Sequence, residues 1–131
     1  MSAINTFRFP FDFKKVYYLA GPMSGIADFN YPAFEKAEYE LEISGIKILS
    51  PHKLYSDSVP GTLKYEDYLK TGFRALLTCD GIILLKGWGR SKGARRELDI
   101  ALDLKYPVYY YDNWMLTTMN LDDEASIQTL L

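Results

Sequence analysis

The sequence predicts an α/β fold: a doubly wound parallel sheet of four to five strands with helices on both faces. Three observations carry this. Short β-prone runs alternate with helical periods in the order β-α-β-α-β-α-β, and that alternation implies parallel strands joined by right-handed crossovers. One of those runs, Gly81 to Leu85 (GIILL), is unbroken and apolar, as in strands buried on both faces. The 131 residues, 48% hydrophobic and 24% charged, suit one ordinary globular domain spanning 1–131.

Residues 1–15 read as an aromatic N-terminal arm. Phe7, Phe9, Phe11 and Phe13 alternate around Pro10, as an edge strand or an arm packed on the body would. Val16 to Ala20 (VYYLA) is a short strand stopped by Gly21-Pro22, and GPMSGIADFN is a turn-rich loop. From Pro32 to about Ser44, Phe34, Ala37, Glu38 and Leu41 follow helical spacing, with Gly45 at the position just past the end. Ile46 to Leu49 is the second strand, and 51–63 is loop. Lys64 to Thr78 is the second helix, with Tyr65, Tyr68, Leu69, Phe73, Leu76 and Leu77 as candidate core. After the GIILL strand comes the Gly-rich loop GWGRSKG. Ser91 caps a helix to about Lys105, and Pro107 to Tyr111 is the fourth strand. Residues 112–131 form a C-terminal tail in which LDDEASIQTLL suggests a final helix.

Composition excludes several functions. Fifteen basic against 17 acidic side chains leave a net charge of −2, which argues against a nucleic-acid polymer as partner. No run approaches the roughly 18 apolar residues of a membrane span. A single cysteine, Cys79, and a single histidine cannot build an internal disulfide or a Cys/His zinc site; too few ligands converge for another metal, and no cofactor is expected. The N-terminus has no long apolar stretch with a cleavage site, and the expected location is the cytoplasm.

In a sheet of this kind, ligands bind at the carboxyl ends of the strands, where loops 21–30, 51–63 and 86–93 must meet. Glu97 is the sharpest signal there. On a helical wheel, Gly93, Ala94, Ile100, Ala101 and Leu104 fall within about 60° of it, while Lys92, Arg95, Arg96, Asp99 and Asp103 lie opposite. A carboxylate inside an apolar stripe costs several kcal/mol unless it is paired or used. The bland alternative is a buried Glu bonded to tyrosine or backbone. The second signal is Ser91, Lys92 and Gly93 at a helix N-terminus with Arg95 and Arg96 following. Cations there oppose the helix dipole and make sense if an anion docks; the alternative is solvated side chains paired along the helix. The third is GPMSG, a weakly specific turn that faces the Ser91 loop.

The segments YLAGPMSG, SGIKILSPH and LLTCDGIILLKGWGRSKGARRELDIALDLKYPVYYY together resemble the nucleoside 2-deoxyribosyltransferase-like family, which includes deoxynucleoside 5′-monophosphate N-glycosidases and small phage and bacterial relatives. The likeness covers about residues 16–111. It implies a flavodoxin/Rossmann-like fold and an enzyme that cleaves the N-glycosidic bond of a (deoxy)nucleoside 5′-monophosphate. By position, Glu97 matches the nucleophile and Tyr18 the tyrosine that orients it. Gly21, Met23, Ser24, Gly25 and Asn30 belong to the first phosphate and nucleotide loop, Ser91 and Gly93 to the second. His52 and Trp88 are the candidates on the base side. Relatives are homo-oligomers, so a homodimer or larger is expected, with the Phe-rich arm suited to an interface. One departure stands out. The family aspartate that helps protonate the departing base falls at Gly72, which implies a glycosidase that is slow or limited to good leaving groups, a protein that binds a nucleotide without cleaving it, or room for a bulkier ligand.

Overall fold

A computed structural model describes residues 5–6, 11–55 and 64–119. Six strands form one sheet: β1 (Asn5–Thr6), β2 (Val16–Ala20), β3 (Lys47–Leu49), β4 (Gly81–Leu85), β5 (Val108–Asp112) and β6 (Met115–Thr118). Their order across the sheet is β1-β6-β5-β4-β2-β3. The four adjoining strands β5, β4, β2 and β3 are mutually parallel, as the alternation of elements requires. The helices are α1 (Tyr31–Ile43), α2 (Tyr65–Leu77) and α3 (Lys92–Asp103).

The two faces of the sheet are read off β2. Tyr17 and Leu19 point to one side, where they pack with Phe34, Ala37 and Leu41 of α1. Tyr18 and Ala20 point to the other, among Ala75 and Leu76 of α2 and Ala94, Leu98 and Ala101 of α3. All five residues of β4 are buried, which accounts for its unbroken apolar sequence. Helices therefore cover both faces, and the doubly wound α/β fold expected from the sequence is present.

The additions to the expected sheet come from the arm and the tail. Residues 115–118, read as tail, form β6 antiparallel to β5 through a two-residue turn at Asn113 and Trp114, with φ of 45° and 65°. Two successive positive φ values match the tight hairpin turn that twists with its strands, normally written Asn-Gly. Tryptophan in the second place hid it. The turn is tied down by Tyr111, whose hydroxyl accepts from the Trp114 amide at 3.0 Å and donates to Glu40 Oε1 at 2.5 Å. Lys36 Nζ lies 2.6 Å from the other oxygen of that buried carboxylate. β1 pairs parallel to β6. Phe11 packs on Tyr17 and Tyr109, with ring centroids 4.8 and 5.1 Å away, whereas Phe13 is exposed. Phe7, Phe9 and the expected final helix lie outside the described residues.

Helix ends follow the expected chemistry. Ser91 Oγ accepts from the Ala94 amide at 3.1 Å, and Gly45 takes φ +91° just past α1. α3 ends at Asp103, and Leu104, placed in the inward stripe, is exposed beyond it, as is Leu77 at the end of α2. Among the described residues, no helix is long and apolar enough to cross a membrane.

Candidate active site

A cleft of about 490 Å³ opens where the loops after β2, β3 and β4 meet the first turns of α2 and α3. Its lining includes Tyr18 from β2, Gly21, Pro22, Met23 and Ser24 from the following loop, and Ser91, Gly93, Ala94 and Glu97 from the α3 end. Eight of the residues singled out in the sequence thus converge: Tyr18, Gly21, Met23, Ser24, Ser91, Gly93, Glu97 and, next to Ser91, the cation Lys92.

Glu97 sits at the inner end of this cleft. The Tyr18 hydroxyl, itself buried, donates to Glu97 Oε2. Burial pushes the Glu97 carboxyl up to about 7, and the hydrogen bond from Tyr18 works in the opposite direction by favouring the charged form. This carboxylate is bonded to a tyrosine, as the bland alternative has it, and it also borders open space. One turn away, the free amides at the start of α3 and Ser91 face the same cleft, a setting suited to an anion. Arg90 and Lys92 add positive charge, with Lys92 Nζ 5.1 Å from the centroid of the Tyr65 ring.

Several candidates have other roles. His52 is buried outside the cleft lining, with Nδ1 2.6 Å from Ser50 Oγ and its ring between Tyr31 and Phe34. Burial lowers its pKa, and Glu38, 4.0 Å from Nε2, pulls the other way. A short turn at Pro51–Tyr55 directs Pro51 into the cleft and His52 into the body. Trp88 is also buried, in the core with Ala94 and Leu98, because the turn Trp88–Arg90 rolls its ring under α3. Gly25 is exposed at φ +78° and does not border the cleft. Asn30 supports the loop from behind, its Nδ2 donating to Pro22 O at 2.8 Å. Gly21 borders the cleft, but packing also demands a glycine there: a Cβ would stand 3.0 Å from Leu85 Cβ and 3.3 Å from Phe34 Cζ. Gly72 makes no room for a bulkier ligand; the space over it holds Glu97 and Tyr18.

The aromatic wall was not foreseen. Asp28, Phe29 and Asn30 all take left-handed backbone, with φ of 53°, 56° and 59°. Such a run of non-glycine residues is strained and is retained where surrounding contacts impose it. Here it lays Phe29 on Tyr68 of α2, ring centroids 5.7 Å apart and planes 28° from parallel. Tyr65, Tyr68 and Leu69 line the cleft, although helical spacing placed them in the core. The available signal was their place in the first turns of α2, directly after a loop due at the carboxyl ends of the strands.

Among the described residues, Glu97 is the only carboxyl group lining the cleft, and no group of three or more His, Cys, Asp or Glu could hold a metal. The fold and this site define a doubly wound α/β protein with an aromatic-walled cleft, one inward carboxylate and an anion-ready helix end. The chain belongs to the family described as a domain of unknown function (DUF4406), whose model matches residues 14–110. No curated protein sequence matches it. Among solved structures it is similar to a 2-deoxyribosyltransferase from the psychrotolerant bacterium Bacillus psychrosaccharolyticus, at 20% identity and a TM-score of 0.58. That likeness covers 76% of this chain and 87% of the other, and it extends to the fold.

Proposed function

We propose that this chain cleaves the N-glycosidic bond of a deoxynucleoside 5′-monophosphate, with Glu97 as nucleophile. The observation that carries the reading is Glu97 itself, a carboxylate held by the Tyr18 hydroxyl at the inner end of an open cleft. A Glu97 oxygen attacks C1′ of the sugar, and the C1′–N bond breaks with its electron pair passing to the base, which takes up a proton. Water then cleaves the glycosyl ester, so the net reaction consumes one water and yields free base and sugar phosphate. Ser24, Ser91, the amides near Gly93, and the cations Arg90 and Lys92 receive the phosphate. Phe29, Tyr65 and Tyr68 take the base-side place first assigned to His52 and Trp88.

The test is incubation with each deoxynucleoside monophosphate and chromatography for free base. Release by the natural chain and none by Glu97→Gln is expected. No release from any of them, with no difference between the two proteins, would sink the reading. A second reading, nucleotide binding without cleavage, is favoured by the absence of another carboxyl from the cleft lining among the described residues, since general acid help is worth about 10²–10⁴-fold. Tight binding with the nucleotide recovered intact would select it. The same reading expects a homodimer or larger, which light scattering checks.

A further inference from the structure

We infer that Gly72 is a positioning residue for Glu97: the missing side chain in the middle of α2 is the seat of the carboxylate. The inference rests on Glu97 being the reacting group. A Cβ built on Gly72 would stand 2.6 Å from Glu97 Oε2, 3.0 Å from the Tyr18 hydroxyl oxygen and 3.6 Å from Glu97 Cδ. Those are its three nearest neighbours, and all belong to the reacting pair. A glycine kept for packing has neighbours of another kind. At Gly81 a Cβ would meet the Tyr17 ring at 2.6 Å and Pro107 Cγ at 3.1 Å. Nor does the backbone call for glycine, because Gly72 lies inside a regular helix and is not among the residues with positive φ. Glycine is a poor helix former, so its presence mid-helix needs a reason, and the carboxylate supplies one.

The consequence is chemical. Any side chain at 72 would displace the end of Glu97, whose stem is free to rotate, away from the Tyr18 hydroxyl and toward the open cleft. The burial that raises its proton affinity would then be lost to water. The same seat keeps α2 from presenting a second acid beside Glu97. Among the described residues, the other titratable groups bordering the cleft are Tyr18, Tyr65, Tyr68, Arg90 and Lys92, none of them a carboxylic acid.

Two measurements test this without relying on turnover. The first is a thermal-stability cycle of Gly72→Ala in the natural chain and in a Glu97→Ala background. Alanine at 72 should lower the melting temperature when Glu97 is present and lower it less, or raise it, in the Glu97→Ala background, where the Tyr18 hydroxyl at 3.0 Å is the near neighbour that remains. An equal effect in both backgrounds, or failure of both Gly72 variants to fold, would overturn the proposal, because the glycine would then serve packing. The second is a carbon NMR titration of the Glu97 carboxyl. Gly72→Ala should move its midpoint down from about 7 by about one pH unit or more; an unmoved midpoint in a folded variant also overturns it. Should the natural chain release no base from any nucleotide, the glycosidase reading fails, while the cycle and the titration still decide the positioning role.

Discussion

Replacing Glu97 with glutamine should change how stability depends on pH. In the folded protein the carboxyl holds its proton up to about 7, against an ordinary value of 4.5. The folded state therefore binds more protons than the unfolded chain between those two values. Stability is greatest below the lower value and declines as pH rises through the upper one. At about 1.4 kcal/mol per pH unit, the natural chain should lose about 3 kcal/mol across this window from Glu97 alone. Glutamine keeps the shape and an acceptor for Tyr18 but does not titrate, so the Glu97→Gln protein lacks that decline. Urea unfolding of both proteins at about pH 5 and about pH 8 measures the difference, and a slope of about 1–3 kcal/mol per molar urea converts it to a midpoint change of about 1–3 M. Parallel changes in the two proteins would refute the claim that burial in the folded state raises the Glu97 carboxyl.

The remaining expectations concern the groups around that carboxylate. Tyr18→Phe removes the donor that favours the charged form, so the Glu97 midpoint should rise above about 7, and the pH at which kcat/KM climbs should rise with it; an unchanged pH profile would count against the orienting role. Ser91→Ala loses the cap on the Ala94 amide and should cost about 1 kcal/mol in denaturant unfolding, together with weaker nucleotide binding by calorimetry. Phe29→Ala removes a ring pair with Tyr68 worth about 0.5–1.5 kcal/mol of stability and takes one ring from the cleft wall, so nucleotide affinity should fall as well, and an unaffected affinity would remove Phe29 from the base wall.

Much of the architecture was legible because it follows from periodicity. The parallel order comes from alternating elements, and the inward turn of Glu97 comes from the wheel of α3. Ser91 announced itself as a cap by residue type. The errors on α2 have one cause: periodicity says which side of an element is apolar, not whether that side meets core or cleft. Tyr65 and Tyr68 satisfied the rule for buried residues and face the cleft. Trp88 and His52 stood in loops and turned inward, since the direction of a single turn is set by what lies beneath it. β6 was missed because Asn113-Trp114 lacks the glycine that marks its turn type. The left-handed path of Asp28, Phe29 and Asn30 has no local signature, because it is imposed by contacts made elsewhere.

Tyr17 and Tyr18 are adjacent on β2 and serve opposite halves of the molecule, one meeting Phe11 and Tyr109 and the other Glu97. Sliding β2 by a single residue against β4 would bring Tyr17 or Leu19, depending on the direction, into the place of Tyr18. The slip that brings Leu19 there would keep much of the backbone ladder yet offer the carboxylate no phenol, whereas the slip that brings Tyr17 there would still offer one. The bond between Tyr18 and Glu97 therefore reports the alignment of β2 against slippage in one direction, a folding mistake that spectra of secondary structure would pass over.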